Sequence, residues 1–486
     1  MTGQALMHFP RTPLWRRAAD HPLATVFALA LIVRLINLAC LANDDAFFAE
    51  EDTLDYWKLS SKLLTPGGFW PALLAMTDRM PFYPLVLAGV RAVFGDAPRI
   101  VALVQAVIDA GTCSLIAALG ALVSPLVGLI AGILAALSAT LIIFSTQLLT
   151  DTLFLFLFTL MLLAGAHFAL NPTKGLAVLA GLPGGFALVT RPTLTVLLVA
   201  AVPLVFGIAL VRRRRVASAL ATAVLFAGAA AAPVAPVLLR NVIHYGSLEL
   251  TSQTGGHLAM WIVPLVAQRA DGTPYHVTFD RVEARYHERA QTISCALRRL
   301  DCVDQHGLDP NANPFRRSAV RTEVAREELA RLPLAAYVKT WLEGMVINLA
   351  APALLVDPRV RALPKPSFYG TAGTSLWERT RAYIFDAPGR YQLLLIVGLV
   401  AMLPVLALET IGFVMLARMR PWAAVFAGGV LAYFLLLTGP VAAPKYRLPM
   451  EPVLIVLAAL PLAWLVRRKA RPQLSVAHGT GLGEAT

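Results

Sequence analysis

Long apolar runs repeat through this chain, and short basic clusters separate them. A bilayer core takes about 20 apolar residues per helix. Runs near that length recur at roughly 22–41, 99–123, 125–146, 152–170, 175–189, 193–211, 216–239, 391–416, 421–437 and 448–466. None shows the strict in–out alternation that a lipid-facing β-barrel strand needs. The expected fold is therefore an all-α polytopic membrane protein, a bundle of about ten transmembrane helices. Composition agrees. The chain has 486 residues, of which 57% are hydrophobic and only 15% charged, against about 25% charged in a typical soluble domain.

The net charge of +13 is not a nucleic-acid signature. Its basic residues sit in short clusters between apolar runs, where the positive-inside rule puts them. Arg11, Arg16 and Arg17 precede the first run. Arg212 to Arg215 follow the sixth, Arg418 and Arg420 the eighth, and "RRKAR" the last. All of these read as cytoplasmic. The first run is long and no small-residue cleavage site follows it, so it reads as an uncleaved helix. The chain then divides into a membrane core at 1–239 with its first external loop at 42–98, an external domain at 240–390 with amphipathic or re-entrant helices, C-terminal transmembrane helices at 391–466 and a basic cytoplasmic tail at 467–486. Two segments strain this threading. Pro81–Phe94 is short and carries Arg91, so it is expected to lie in the outer interface. Residues 337–356 carry Lys339 and Glu343 and are expected to lie on or dip into the outer leaflet. If they spanned, "RRKAR" would land outside.

In this basic, apolar chain one stretch gathers carboxylates. "NDDAFFAEEDTLDYW" contains Asp44, Asp45, Glu50, Glu51, Asp52 and Asp55. Threading places it outside, on the face that also receives Tyr56, Asp78, Arg79, Tyr83, Asp151, Arg191, Arg240, Asn241, Lys445, Tyr446 and Arg447. An arginine's planar fork suits phosphate oxygens, and a carboxylate can take a proton from a hydroxyl. The plain alternative is that external helix ends carry charge because they meet water. Arginines outside are less expected on that view, because positive charge is biased inward. Two ionisable groups fall within spans. Arg34 and Asp109 differ in depth by roughly 5 Å, and lone charges there are costly. They are expected to pair as a structural fastening between the first two helices. His167 and Glu409 fall near inner helix ends and are expected to snorkel. Cys40 and Cys113 read as packing residues. Cys295 and Cys302 lie in the polar segment, where an oxidising exterior permits a disulfide, though not within one straight helix.

Several short blocks together resemble the large GT-C glycosyltransferases that use polyprenyl-phosphate sugars. They are most similar to the protein O-mannosyltransferase superfamily and the bacterial lipid A aminoarabinose transferases. The blocks cover most of residues 20–255, with one more near the C-terminus. "DTLDYWKLSSKLL" matches the family's acid four residues before an aromatic. The resemblance implies that Asp52 is the catalytic aspartate, with Asp55 beside it. "RMPFYPLVLA" matches the block whose basic residue contacts the lipid phosphate, here Arg79. "LLTDTLFLFLF" places the acid after the third helix at Asp151. "GFALVTRP" places the Thr-Arg-Pro turn at Arg191. "RNVIHYGSLELTSQTGGHL" and "KYRLPMEP" resemble the blocks that open the large loop and precede the last helix. The family's acid pair is often Asp-Glu, whereas Asp52 is followed by Thr53 and preceded by Glu50 and Glu51.

On this resemblance the chain is an inverting glycosyltransferase of the bacterial plasma membrane, active on the periplasmic face. Its partners are membrane lipids, a polyprenyl-phosphate sugar and a glycolipid, polysaccharide or protein acceptor, with no nucleic acid. Arg79, Tyr83, Arg191, Arg240 and Arg447 are the expected phosphate or lipid contacts. Tyr56, Asp78, Asp151, Asn241, Lys445 and Tyr446 shape the site. Some relatives hold a metal at the position of Asp78, but no histidine partner is identified, so no metal or other cofactor is assigned. The other readings are a transporter or lipid flippase, and a scaffold. Transporters often show internal repeats and midplane ionisable groups. No repeat is evident here, and the polar residues gather at one face.

Overall fold

A computed structural model describes residues 21–41, 43–48, 51–213, 215–299, 313–364, 367–368, 370–386 and 389–470. Cys302, Glu50 and most of the tail lie outside the described residues, and so does the side chain of Cys295. Among the described residues every regular element is a helix. The protein is an all-α polytopic membrane protein. Seven helices are long and apolar enough to cross a bilayer: Pro22–Ala39, Pro98–Ala121, Thr150–Leu170, Pro192–Arg212, Arg390–Met419, Pro421–Thr438 and Pro444–Arg468. The pair Val216–Ala231 and Ala235–Tyr245 makes an eighth, bent by 60°. Pro125–Leu137 and Lys174–Leu188 are shorter apolar helices. All ten expected runs are thus helical, but two are interrupted.

The run expected at 125–146 breaks at Ser138. Its backbone is extended, and its hydroxyl caps a second piece, Ala139–Phe144, by accepting from Leu141 N. A break inside a membrane strands carbonyls that water cannot reach. Arg34 collects them. Its guanidinium donates to Ala136 O at 2.5 Å and Ala135 O at 3.2 Å, and its Nε lies 2.7 Å from Asp109. The structure therefore brings Arg34 and Asp109 together and adds a third helix to the joint. Cys113 Sγ accepts from the same guanidinium at 3.1 Å. The second interruption contains Pro233, which has no N–H to continue the ladder. Close packing accompanies this bend. A Cβ on Gly185 would come within 2.2 Å of Ala230 O, and one on Gly181 within 2.5 Å of Phe226 O. The Gly181–Gly185 step thus lets two helices touch backbone to backbone.

The segment expected as an external domain folds into a helical hairpin and an apolar base. Tyr275–Arg299 and Pro314–Leu329 pair through a ladder of charges. Arg289 meets Glu327 at 3.0 Å and Arg321 meets Glu283 at 2.9 Å. Leu334–Ala350 follows, then a short 3-10 turn at Ala353–Val356. The 337–356 run is thus not one straight helix.

One expectation fails here. Glu409 does not snorkel from an inner helix end. It is buried in the Arg390–Met419 helix and ion-paired with Arg447. Three residues on, a Cβ on Gly412 would strike Leu457 O, so that helix lies directly against the last one. Position 390 is 19 residues before Glu409, so about 28 Å of this helix precedes the pair with Arg447. A hydropathy run alone could not show this, because it carries no information on which partner sits at which depth.

Candidate active site

The Glu51–Leu64 helix presents Asp52, Asp55 and Tyr56 on one face, since residues three and four apart are neighbours on a helix. Arg91 fixes this helix. Its guanidinium donates to Trp57 O at 3.0 Å and to Ser61 Oγ at 3.0 Å, bonds Ser60 Oγ, and lies 3.9 Å from the centre of the Trp57 ring. Asp96 closes the far side at 2.6 Å. Sequence reading noted Arg91 only as a charge in a short apolar run. Here it fastens the carboxylate helix to Phe82–Phe94.

Asp52, Asp55, Arg79 and Lys445 form a mixed-charge cluster. Arg79 Nη2 is 2.7 Å from Asp52 Oδ1 and 3.3 Å from Asp55 Oδ2. Lys445 Nζ is 3.9 Å from the other Asp52 oxygen. Both carboxylates remain accessible, with side-chain exposures of 38% for Asp52 and 55% for Asp55. Arg79 Nε is buried and has no hydrogen-bond partner. Asp78 is exposed beside it. The cluster therefore keeps one unused donor and open carboxylate oxygens.

Buried aromatic rings adjoin the cluster. Tyr56 is 8% exposed and meets Tyr83 edge to face at 5.2 Å. Arg79 stands 5.6 Å from the Tyr56 ring centre. Burial pushes the Tyr56 phenol up to about 12, against the opposing pull of Arg79 and with help from Asp52. It stays protonated at neutral pH and is not a base. Asp151 and Arg191 are bonded to each other under Tyr56, with Arg191 also 5.7 Å from the Phe154 ring centre. Tyr446 lies beside Lys445, whose Nζ is 5.7 Å from its ring centre.

Four residues expected to hold phosphate or shape the site are spent elsewhere. Arg240 donates to Leu73 O at 2.9 Å and Met76 O at 2.7 Å, and to Asn241 Oδ1 at 2.9 Å. Asn241 donates to Glu249 O at 2.6 Å and Leu250 O at 3.2 Å. Ser252 N then bonds Thr77 O at 2.9 Å. Together this pair holds the turn that carries Arg79. Arg447 is 3% exposed and bonds Glu451, Glu409 and Leu349 O, so its fork is filled by carboxylates and a carbonyl. Tyr83 is buried and donates to Gln105 Oε1 at 2.8 Å. Gln105 continues to Gln147 O at 2.7 Å, and Gln147 to Val356 O at 2.8 Å. The sequence reading missed both glutamines. A polar amide inside an apolar run was the available signal.

Among the described residues no group of three or more His, Cys, Asp or Glu side chains could hold a metal. His257 is a further neighbour not singled out from sequence. Desolvation and the nearby Lys445 hold its pKa below the ordinary histidine value.

No protein-family model matches the chain, and no curated protein matches it. Among solved structures it is similar to ArnT from Cupriavidus metallidurans in the apo state, at 15% identity over 91% of this chain and 78% of that one, with a TM-score of 0.35. It is also similar to the same protein bound to undecaprenyl phosphate, at 14% identity over 95% and 81%, with a TM-score of 0.34.

Proposed function

We propose that this protein transfers a sugar from a polyprenyl-phosphate donor to a hydroxyl of an acceptor, inverting the anomeric carbon, at the external face of a bacterial plasma membrane. One observation carries the reading. A partly open carboxylate, Asp52, lies between two cations from distant parts of the chain, Arg79 at 2.7 Å and Lys445 at 3.9 Å. That arrangement serves both halves of the reaction. Asp52 takes the proton of the acceptor hydroxyl. The hydroxyl oxygen bonds to the anomeric carbon as the bond to the phosphate oxygen breaks. The lipid phosphate leaves with an added negative charge, which Arg79 and Lys445 balance.

The ion pair adds a requirement. Asp52 shares its oxygen with Arg79. An arriving phosphate competes for the same guanidinium and frees Asp52 for the hydroxyl. Arg191 is paired with Asp151 and acts from below, by its field on the floor of the site. Arg240, Asn241, Arg447 and Tyr83 are left out of the phosphate set and build the walls. Asp55, on the same guanidinium, is the reserve base. Asp78 gives the mouth of the site a further negative charge.

The test is to incubate the purified protein with a labelled polyprenyl-phosphate sugar. Release of polyprenyl phosphate that depends on Asp52 and Arg79 supports the reading. Movement of intact donor across a vesicle membrane without bond cleavage would instead support the transporter reading.

A further inference from the structure

The helix Leu376–Phe385 stands apart from the site and ends just before the Arg390–Met419 span begins. Its start is fixed by side chains. Ser375 Oγ accepts from Glu378 N at 3.1 Å, and the Glu378 carboxylate accepts from Thr374 N at 3.0 Å and Thr374 Oγ1 at 2.7 Å. One face of the helix is packed. Tyr383 meets Tyr391 edge to face at 6.2 Å, and Tyr383 and Ile384 are buried with Val360 and Leu395. The other face is open. Trp377 is 76% exposed and Phe385 65%, and Arg381 is exposed between them. The three stand four residues apart in turn, so they form one stripe. Arg390 is exposed as well. Neither the Arg381 nor the Arg390 guanidinium makes an ion pair or hydrogen bond among the described residues.

The length of the following span sets the level of this stripe. Arg418 lies 28 residues after Arg390 on one continuous helix, a distance of about 42 Å. A bilayer with its headgroups is about 40–45 Å thick. With Arg418 and Arg420 at one surface, Arg390 falls in the headgroup layer of the other. The Tyr383–Tyr391 contact folds Leu376–Phe385 back against the first turn of the span, so it lies in the same layer. Exposed apolar residues of the span itself, Leu393, Val397 and Val400, follow directly and lead into the hydrocarbon. The neighbouring Pro358–Arg361 turn touches Asp44–Phe48, which leads into the Asp52 helix. The stripe is thus at the end of the bundle that carries the site.

The residue types select what covers it. Tryptophan concentrates at the membrane–water interface, because its ring is apolar and its N–H polar. Positive charge is biased to the opposite face of a membrane, so topology does not account for two unpaired arginines in this layer. Arginine's fork suits phosphate oxygens. A helix with aromatic rings and arginine on one face binds a lipid surface by burying the rings and attracting anionic headgroups. We infer that Leu376–Phe385 is a docking surface for anionic phospholipid, with Trp377 and Phe385 seated at the acyl-chain boundary and Arg381 and Arg390 on headgroup phosphates. A zwitterionic lipid carries its own cation beside the phosphate, which competes with the arginines. Lipids of net negative charge are therefore preferred. This inference does not rest on the glycosyl-transfer reading.

The experiment places the purified full chain in phosphatidylcholine vesicles and titrates in brominated phosphatidylglycerol or, separately, brominated phosphatidylcholine. Wild type is compared with Trp377→Phe, and the difference isolates the Trp377 fluorescence. Brominated chains should quench that component, and aqueous iodide should not. Phosphatidylglycerol should quench at lower mole fraction than phosphatidylcholine, by about fivefold per arginine. The double variant Arg381→Gln, Arg390→Gln should lose this preference and keep the quenching by phosphatidylcholine. If Trp377→Phe does not fold, Phe385→Trp adds a reporter at the other end of the stripe, and the added signal should behave in the same way. Quenching by iodide but not by brominated chains overturns the inference, because the stripe then faces water. Shielding from both quenchers also overturns it, because a protein surface then covers the stripe. So does equal quenching by the two lipids, unchanged in the double variant, because the arginines then hold no anionic headgroup.

Discussion

Two arginine environments in this protein differ in what they have left to give. Arg34 and Arg447 lie in the helical body with every direction filled: Arg34 by Asp109 and the carbonyls of a broken helix, Arg447 by Glu409, Glu451 and Leu349 O. Arg79 also pairs with carboxylates, but it keeps a buried Nε without a partner and its carboxylates stay open to the surface. A saturated charge pair joins helices. An unsaturated one can exchange partners when a ligand arrives. On the proposed function, this difference separates structural from functional charge.

The comparison can be broken most decisively at Asp52. Asp52→Asn should cost about 10²- to 10⁴-fold in turnover while leaving the unfolding temperature near that of wild type. If Asp55→Asn is the damaging change and Asp52→Asn is near normal, the base is Asp55. On the saturated side, Arg34→Met should destabilise by about 3–5 kcal/mol, because it strands Asp109 in the apolar interior. Unfolding of the detergent-solubilised protein reads this, and activity per folded molecule should be nearly unchanged. Asp109→Asn with wild-type stability and yield would show that the pair is not a fastening. Arg447→Met should behave like Arg34→Met, with donor affinity retained. A loss of donor affinity in folded Arg447→Met would return it to the phosphate set.

Arg79→Ala should lower turnover by about 10²- to 10³-fold and also weaken the donor. Arg79→Lys should restore part of the binding, since the point charge remains but the fork does not. The smallest expected effect is at Tyr56. With its phenol pushed up to about 12, it loses no proton across the neutral and mildly alkaline range. Tyr56→Phe should therefore leave the shape of the pH–activity profile unchanged. A displaced alkaline limb in that variant would show that the phenol takes part in proton transfer.

Much of the scaffold is legible in the sequence. Apolar length set the ten helical runs, and an intramembrane arginine with an intramembrane aspartate on the next helix announced their meeting. The interruptions were less legible. Ser138 is one serine in an apolar run, and its role as a cap depends on Arg34 being there to take the freed carbonyls. At the site, the four-residue step from Asp52 to Tyr56 is legible in the sequence through its resemblance to the family block. The reading could not sort the arginines. Arg79, Arg240 and Arg447 all stood at expected outer helix ends, and only the fold shows that Arg240 is spent on the Leu73–Met76 carbonyls and Arg447 on two glutamates.

The sequence alone determined that this chain is helical, apolar and polytopic, and that its carboxylates gather after the first helix. Those properties follow from local length, hydropathy and charge, which need no partner. Tertiary structure decided which charges are neutralised and which remain available, and that Lys445 comes to Asp52. Each of these depends on contacts between residues far apart in the chain. Hydrogen-bond saturation is a property of the assembled neighbours, and no local pattern records it.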